Sequence, residues 1–262
     1  MVDAGPLDDA TGPWLLAIEC ASQTASAALL RGDRLIGEQS CEGRNHAETL
    51  LGLVDAVLGT ARVSLDSVEA FAVSIGPGSF TSLRIGLATV KGLAFGSAAR
   101  VAPVSTLAAL AWEGWQARQD RQDRQAGEPG DRGGAPIAAA LDARRGEVYG
   151  GIFRCDASER PSVETLCPEG LFSPQAFAEL LPERCLLAGA GAELYTQELT
   201  AREGGAIDLW PGLGPTARAV GAIGSEMLAR GAGVSAAELL PRYLRRAEAE
   251  ELRLSAAAET TR

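Results

Sequence analysis

The chain has 262 residues, of which 46% are hydrophobic, and its 24 basic and 34 acidic side chains give a formal net charge of −10. This length is enough to bury a core in one large domain or two small ones. The acidic balance argues against a protein that grips a polyanion by itself, because such proteins present basic surfaces.

The cysteine and targeting patterns predict a cytoplasmic protein. Five cysteines lie far apart and form no C-x-x-C pair, which favours reduced thiols. The sequence contains no run of 18 apolar residues, so it predicts no membrane span. The acidic start MVDAGPLDDATGP is unlike a secretory signal.

Short apolar runs predict that the N-terminal half opens with a three-stranded meander. Gly32–Asp33 joins two of these runs, and a glycine-aspartate pair in that position is a hairpin signal. The predicted strands are Trp14–Glu19, Ala25–Arg31, Arg34–Ser40, Val68–Ile75 and Arg100–Val104.

Two helices with apolar stripes alternate with the later strands, at Glu48–Thr60 and Ser79–Phe95. Their apolar residues recur at the spacing of an amphipathic helix. The stripes consist of Leu50, Leu53, Val54, Val57 and Leu58 in the first helix and Leu83, Leu87, Val90 and Ala94 in the second. A third helix is predicted to begin after Ser105, a suitable N-cap, and to run through Trp112 and Trp115.

The C-terminal half repeats the order of the first. The polar stretch Gln116–Gly134 between the halves is predicted to be a mobile insert, because it is rich in charge and glycine. The elements that follow are strands at Ala135–Leu141, Glu147–Arg154, Ser162–Cys167 and Cys185–Ala188 and helices at Pro174–Leu181, Ala192–Ala201 and Thr216–Arg230. Since the order β-β-β-α-β-α occurs twice, we expect an α/β chain of two related subdomains.

These elements predict a division of the chain into an arm, two subdomains and a returning tail. The predicted parts are a flexible arm at 1–12, an N-terminal subdomain at 13–104, a C-terminal subdomain at 105–214 with the insert at 116–134, a helix and tail at 215–246 that pack back, and a frayed tail at 247–262.

The turn after the first strand carries Glu19, Ser22 and Thr24. A strand, a polar turn and a second strand are how actin-like and sugar-kinase-like ATPases begin; there the turn faces phosphate and an acidic residue helps to place a metal. An ordinary hairpin with a polar turn is the alternative, and the sequence leaves both open.

The stretch SIGPGSFTSLRIG has the form of a phosphate loop. Gly76 and Gly78 permit unusual backbone conformations, Pro77 stiffens the turn, and Ser79 or Thr81 can cap the next helix, whose first amides would face an anion. The G-x-x-x-x-G-K-[ST] pattern with its lysine is absent. The stretch is therefore a degenerate phosphate loop or a tight turn that orients a helix.

Neither the histidine nor the paired carboxylates predict catalysis. His46 is the single histidine and the i+4 position is Leu50, which leaves no metal pair, so we expect His46 to face solvent or to cap a helix. In LDARRGEVY, two arginines lie between Asp142 and Glu147, which favours an ion-paired turn over an acid/base pair. We predict no catalytic and no metal-binding residue.

Taken together, these motifs resemble the TsaB (YeaZ) family. The resemblance covers about Trp14 to Arg245 and follows the order IECASQTASAAL, NHAETLL, SIGPGSFTSLRIGLATVKGLAFG, PVSTLAAL, LDARRGEVY and LPRYLR. The GPGSFT-x-x-RIG and D-A-R-x-G-E-V-Y motifs are specific to the family, whereas the first strand is shared with the wider actin-like superfamily.

The resemblance implies an actin-like ATPase (ribonuclease H-like) fold, with two related subdomains of mixed sheet flanked by helices. It implies a scaffold without activity alone, in the complex that forms N6-threonylcarbamoyladenosine next to the anticodon of ANN-decoding tRNAs. The partners would be a TsaD-like transferase, which carries the metal and the chemistry, a TsaE-like ATPase, a second copy when the chain is alone, and tRNA only within the complex, with no membrane. No cofactor is expected on the chain alone, and ATP or ADP at an interface with partners is left open.

Three departures from the family pattern concern the candidate sites. The catalytic relative has H-x-x-x-H where this chain has His46 and Leu50. The family often has Asp-Thr where this chain has Glu19-Cys20, so the first turn is interpreted as vestigial. Ser82 replaces the last glycine of the GPGSFTG pattern, in a helical turn that tolerates serine.

In the family the two striped helices contact TsaD or a second TsaB. An apolar patch left over on a monomer marks an interface, and small residues such as Gly86 and Ala88 allow close approach. The sequence leaves open which stripe residues face the chain's own sheet. The predicted partner-facing residues are Leu50, Leu53, Val54, Val57, Leu83, Leu87, Val90 and Lys91.

Three rival functions stay open on the sequence alone. They are an actin-like ATP-binding enzyme such as a kinase, a metal-dependent peptidase, and a binding module outside tRNA modification. Nucleotide binding by the isolated chain would identify the first, and bound metal the second. The third would leave threonylcarbamoyladenosine in bulk tRNA unchanged when the chain is depleted.

Overall fold

A computed structural model of the chain describes residues 11–43, 45–124, 134–157, 160–201 and 206–245. Within these ranges the chain forms ten strands and seven helices. The strands are β1 (Trp14–Glu19), β2 (Thr24–Arg31), β3 (Arg34–Glu42), β4 (Ala70–Gly76), β5 (Arg100–Ser105), β6 (Ile137–Arg144), β7 (Glu147–Asp156), β8 (Ser162–Phe172), β9 (Arg184–Ala188) and β10 (Ala206–Trp210). The helices are α1 (His46–Ala61), α2 (Phe80–Leu93), α3 (Thr106–Arg124), α4 (Pro174–Leu180), α5 (Ala190–Leu194), α6 (Thr196–Thr200) and α7 (Ala217–Ala229).

The strands form two five-stranded mixed sheets with the same internal order. The first sheet runs β3-β2-β1-β4-β5, and the second runs β8-β7-β6-β9-β10. In each, a three-stranded antiparallel meander leads into parallel strands reached through helices. This repeat confirms the predicted α/β fold, with two related subdomains of mixed sheet flanked by helices.

Helices cover both faces of each sheet, so the molecule is layered. Helices α1 and α2 pack on the outer face of the first sheet, and α4, α5 and α6 contact the second sheet or one another on its outer face. Helices α7 and α3 lie between the sheets, in one continuous apolar cluster that draws on both. Because β1 and β4 are covered on both faces, they are apolar along nearly their whole length.

Two glycines allow α7 to lie unusually close to the first sheet. A Cβ added at Gly221 would lie 2.3 Å from Cδ1 of Leu30, and one added at Gly224 would lie 2.5 Å from Cβ of Ala72. The helix is capped by Thr216, whose side chain accepts from the N–H of Ala219, and its C-terminal end passes into Gly231 at φ +75°.

Helix α3 includes the first part of the predicted mobile insert at 116–134. Residues Gln116 to Arg124 continue the helix that begins at Thr106, and residues 125–133 lie outside the described part of the chain. Trp112 and Trp115 stack at 4.8 Å on the buried side of this helix, and the glutamines and arginines that follow are good helix formers.

The second half differs from the predicted elements in two smaller respects. The helix expected at Ala192–Ala201 is two short helices, α5 and α6, that meet at Tyr195. Strand β10 was not predicted, since its five residues are only partly buried at a sheet edge and carry a weak apolar signal.

The ends of the chain are described only in part. The predicted arm at 1–12 falls outside the described residues except for its last two, and the predicted frayed tail at 247–262 falls wholly outside them. The proposed domain boundaries stay predictions.

All five cysteines are free thiols. No helix of the described residues is long and apolar enough to cross a membrane.

Candidate functional site at the carboxyl ends of the sheets

The first turn buries Glu19 completely. One carboxyl oxygen accepts from the N–H of Ala21 at 2.8 Å and lies 3.5 Å from the hydroxyl of Ser74, and the other lies 3.3 Å from the hydroxyl of Ser22. Burial raises the pKa of Glu19 from 4.5 to about 8, against the smaller opposing effect of these hydrogen bonds. The burial of Glu19 therefore favours the neutral form of its carboxyl group.

His46 contacts the same turn and is buried, so the expectation that it faces solvent is wrong. Its ring is 3% exposed, and Nε2 lies 3.1 Å from the carbonyl oxygen of Ser22. Because a carbonyl oxygen only accepts, Nε2 carries the proton and donates. No group of three or more metal-ligating side chains occurs among the described residues.

The predicted phosphate loop rests directly on the first turn. The N–H of Ser79 donates to the carbonyl oxygen of Ala21 at 2.9 Å, and a Cβ added at Gly78 would lie 2.4 Å from that oxygen. Gly76 adopts φ +117°, a conformation that favours glycine, and Pro77 beside it is buried. The first turn and the predicted degenerate phosphate loop therefore contact each other, which agrees with the alternative of a tight turn that orients a helix.

The same loop caps α2 through Ser79. Its hydroxyl accepts from the N–H of Ser82 at 3.4 Å and from the Ser82 hydroxyl at 3.0 Å. Thr81 is exposed and makes no cap, and the carbonyl of Ser82 accepts from the thiol of Cys20 at 3.1 Å. Serine in place of the motif's last glycine thus fits the helix, and Thr24 begins β2 with its N–H 3.4 Å from the Ser22 hydroxyl.

The structure corrects the predicted partner-facing residues. Six of the eight are buried in the core between the first sheet and its outer helices, because the apolar stripe of each helix packs on the sheet. They are Leu50, Val54, Val57, Leu83, Leu87 and Val90. Leu53 and Lys91 are half-buried.

The outward faces of α1 and α2 carry different residues. Leu51 is 53% exposed, and Phe95, just beyond α2, is 90% exposed. Gly52 and Gly92 have no atom within 4 Å of an added Cβ, so these faces are shallow and open. Ala88 is exposed as expected, whereas Gly86 faces inward, where a Cβ would lie 2.3 Å from the sulfur of Cys20.

Residues 239–245 form a segment without helix or strand that we call the strap. Leu239 is buried in the core beneath α1 and α2, and the N–H of Arg242 donates to the carbonyl oxygen of Ile75 at 2.7 Å. Tyr243 stacks on Phe80 at 4.9 Å. The strap is thereby attached to the first subdomain at the end of β4.

Arg84 completes this attachment. Its guanidinium carbon lies 3.9 Å above the ring of Phe80, and Nε donates to the hydroxyl of Tyr243 at 3.1 Å. The arginine of the GPGSFT-x-x-R motif and the tyrosine of LPRYLR thus serve one contact.

The other side of the strap holds the second subdomain. Arg242 pairs with Glu169 of β8 at 2.9 Å, and this glutamate also accepts from the hydroxyl of Ser105 at 2.6 Å. Arg245 donates to the carbonyl oxygen of Ala143 at 2.5 Å and pairs with Glu147. These polar contacts were missed because they join residues about 60 to 100 positions apart.

The predicted ion-paired turn between β6 and β7 is present in part. Asp142 pairs with Arg144 at 3.1 Å, as expected, whereas Glu147 pairs with Arg245 of the strap. Neither carboxylate is arranged as an acid/base pair. The motifs GPGSFT-x-x-R, D-A-R-x-G-E-V-Y and LPRYLR therefore converge on one place, the carboxyl ends of the two sheets.

A second polar cluster joins the layers between the sheets. Glu113 of α3 is buried and is held by two hydrogen bonds from Arg218 of α7, at 2.9 and 2.5 Å, and by the hydroxyl of Thr216. The hydrogen bond to Glu113 holds the pKa of Arg218 above its usual range. Glu38 of β3 accepts from the N–H of Arg218 at 2.9 Å.

Two open grooves lie elsewhere, along β10. They have volumes of about 510 and 360 Å³ and share Asp208. In the larger one, Arg121 lies 5.0 Å from the ring of Trp210, whose indole N–H donates to Asp208. No predicted site residue lines either groove.

Comparison with known proteins bears on this convergence of motifs. A family model described as TsaD, tRNA N6-adenosine threonylcarbamoyltransferase, matches residues 40–162. The chain is 30% identical over 190 residues to the tRNA threonylcarbamoyladenosine biosynthesis protein TsaB of Haemophilus influenzae, covering 70% of this chain and 74% of that protein. It is 28% identical over 243 residues to TsaB of Bacillus subtilis, covering 90% and 96%.

A solved structure agrees with the sequences. The fold matches YeaZ from Pseudomonas aeruginosa with a TM-score of 0.74 and 32% identity, over 88% of this chain and 100% of that one. The sequence match to TsaB of Bacillus subtilis and the structural match to YeaZ each cover most of this chain, and so include both subdomains. The chain belongs to the TsaB (YeaZ) family of tRNA threonylcarbamoyladenosine biosynthesis proteins.

Proposed function

We propose that this chain is the non-catalytic scaffold subunit of the complex that forms N6-threonylcarbamoyladenosine next to the anticodon of ANN-decoding tRNAs. It binds a TsaD-like transferase and a TsaE-like ATPase, and meets tRNA only within that complex. The observation that carries the proposal is its 30% identity to a TsaB protein over 74% of that protein's length.

The closed first turn supports a role without catalysis. Glu19 is buried, which favours its neutral form, and the N–H of Ser79 donates to the carbonyl oxygen of Ala21. A neutral carboxyl and an occupied amide offer little to a metal or a phosphate. In this proposal, ATP or ADP binds at a boundary with the partners and not on the isolated chain.

The outward faces of α1 and α2 are the proposed contact for the TsaD-like subunit, or for a second copy when the chain is alone. Exposed Leu51 and Phe95 supply apolar area, and Gly52, Ala88 and Gly92 allow another helix to approach closely. Apolar and aromatic residues that a monomer leaves exposed are typical of interfaces.

Reconstitution tests the proposal directly. The chain is mixed with a TsaD-like transferase, a TsaE-like ATPase, threonylcarbamoyl donor and an ANN-decoding tRNA, and modified nucleoside is measured by mass spectrometry. We expect modification to fall to background when this chain is left out. Equal modification with and without the chain would contradict the proposal.

A further inference from the structure

The strap covers the edge of the fold where open α/β sheets bind ligands. Arg242 contacts Ile75, next to the end of β4, and Arg245 contacts Ala143, next to the end of β6. These are carboxyl ends of one strand from each sheet, and in open α/β sheets ligands bind in the crevice at that edge. In this chain, residues of its own occupy the crevice.

The strap fits this position closely. A Cβ added at Gly76 would lie 2.6 Å from the carbonyl oxygen of Arg242, so the backbones touch where any other residue would separate them. Leu239 is 1% exposed, and the side chain of Arg245 is 16% exposed. A segment without helix or strand is thus held by specific contacts on both sides.

The two attachments differ in kind. Toward the first subdomain the strap uses an apolar anchor, a stacked ring and a backbone hydrogen bond, through Leu239, Tyr243 and Arg242. Toward the second it uses the guanidinium groups of Arg242 and Arg245. Loss of the guanidinium contacts would therefore detach the strap from the second subdomain and leave it on the first.

Each subdomain also has a core that does not involve the ionic half of the strap. The cluster beneath α1 and α2 belongs to the first sheet, and the cluster beneath α4, α5 and α6 belongs to the second. The layer of α3 and α7 connects the sheets through an apolar cluster that does not include the strap. Separation at the strap side would leave both cores intact, with α3 and α7 as the hinge side.

We propose that the strap is a latch. Seated, it fixes the angle between the two subdomains and closes the crevice at the carboxyl ends of β4 and β6. Released from Glu169, Glu147 and Ala143, it lets the crevice open while each sheet keeps its core.

Hydrogen exchange of the full chain, followed by mass spectrometry, tests the latch. The variant Arg242→Ala/Arg245→Ala removes both guanidinium contacts. Its control, Arg154→Ala/Arg184→Ala, removes the same charge from two exposed positions within the second subdomain. We expect exchange in residues 141–149 to become about tenfold faster in the first variant, the change expected when a charge-assisted hydrogen bond is lost, while residues 75–84 keep the strap and exchange as in the wild type.

The latch also predicts what stays unchanged. Exchange in the centres of β1 and β9 should match the wild type and the control, because those strands belong to the separate cores. Unchanged exchange in residues 141–149 would overturn the proposal. Faster exchange throughout both sheets would also overturn it, because the arginines would then serve general stability.

A milder variant keeps the test decisive if the double variant does not fold. Arg245→Lys keeps the charge but loses the planar fork that contacts Ala143 and Glu147 together. We expect faster exchange in residues 141–149 and wild-type exchange in residues 75–84. Wild-type exchange in both segments would contradict the latch.

Discussion

At the residue scale, Glu19 shows how burial changes what a side chain does. The same carboxylate at the end of an exposed strand would be charged and available to a cation. Here it is enclosed by the first turn, the Ser74 hydroxyl and the following loop, and its pKa rises to about 8. The residue type suggested metal chemistry, whereas the surroundings make it a neutral hydrogen-bonding group.

The raised pKa of Glu19 predicts a pH-dependent stability. The pKa of Glu19 is higher in the folded chain than its unfolded value of about 4.5, so folding favours the protonated carboxyl group. Its contribution to the free energy of unfolding is fully present below pH 4.5 and is lost as the pH rises toward 8. In Glu19→Gln this loss is absent. The difference in free energy of unfolding between the variant and the wild type should therefore shift in favour of the variant by roughly 1 kcal/mol per pH unit between pH 5 and 8.

Urea unfolding at pH 5, 6, 7 and 8 measures this difference. Glu48→Gln, on the exposed side of α1, is the matched control for loss of a carboxylate. Parallel stability curves for Glu19→Gln and the wild type would show that Glu19 does not titrate in this range.

At the element scale, α2 presents two faces with different tasks. Leu83, Leu87 and Val90 pack on the first sheet, while Ala88 and Gly92 face outward. The periodicity of the sequence finds the helix and its apolar stripe. It does not say that the stripe faces inward, because any apolar helix face satisfies the same pattern.

Adjacent residues of α2 therefore predict opposite outcomes. Leu87→Asp places a charge in the core and should lower the free energy of unfolding by roughly 3–5 kcal/mol, through the lost burial and the unpaired charge. Ala88→Arg changes only the outward face and should keep wild-type stability while weakening assembly with the TsaD-like subunit about tenfold or more.

Thermal unfolding and pull-down of the two variants make the comparison. If Ala88→Arg assembles as well as the wild type does, the partner uses another surface. A folded, stable Leu87→Asp would contradict the burial of that residue.

At the scale of the whole molecule, several polar connections join the subdomains among the described residues. One is the strap at the carboxyl ends of the sheets, a second is Glu113 with Arg218 between α3 and α7, and a third is Arg160, just before β8, with Glu226 of α7. Around the second lies the apolar cluster shared by both sheets. The arrangement of the subdomains thus depends on a core on one side and on ionic contacts on the other.

Removing Arg218 tests the connection between α3 and α7. Arg218→Ala leaves Glu113 buried without its cation, and we expect a loss of roughly 2–4 kcal/mol in the free energy of unfolding. The figure is at the lower end for a buried pair because the Arg218 side chain is 42% exposed. The double variant Glu113→Gln/Arg218→Ala should recover part of this loss.

Chemical unfolding of both single variants and the double variant gives the coupling free energy. A coupling near zero would show that the two side chains do not stabilise each other. A loss that the double variant does not reduce would point to packing instead of charge.

The sequence by itself determined the elements that depend on neighbouring residues. The hairpin at Gly32–Asp33, the cap of α4 at Ser173, the end of α7 at Gly231 and the repeated β-β-β-α-β-α order were predicted and are confirmed. Each of these depends on turn chemistry or on periodicity over a few residues, so residues close together in the sequence determine it. The family followed from motifs that are also local.

The tertiary structure alone decided burial and long-range pairing. It placed His46 inside, turned the stripes of α1 and α2 toward the sheet, closed the loop at Gly78 on Ala21 and brought Arg242 to Glu169. These outcomes depend on which distant segments meet, because the free energy of burial or pairing depends on both of the groups in contact. Periodicity along one segment does not contain that information, which is why the motifs were visible in the sequence and their convergence was not.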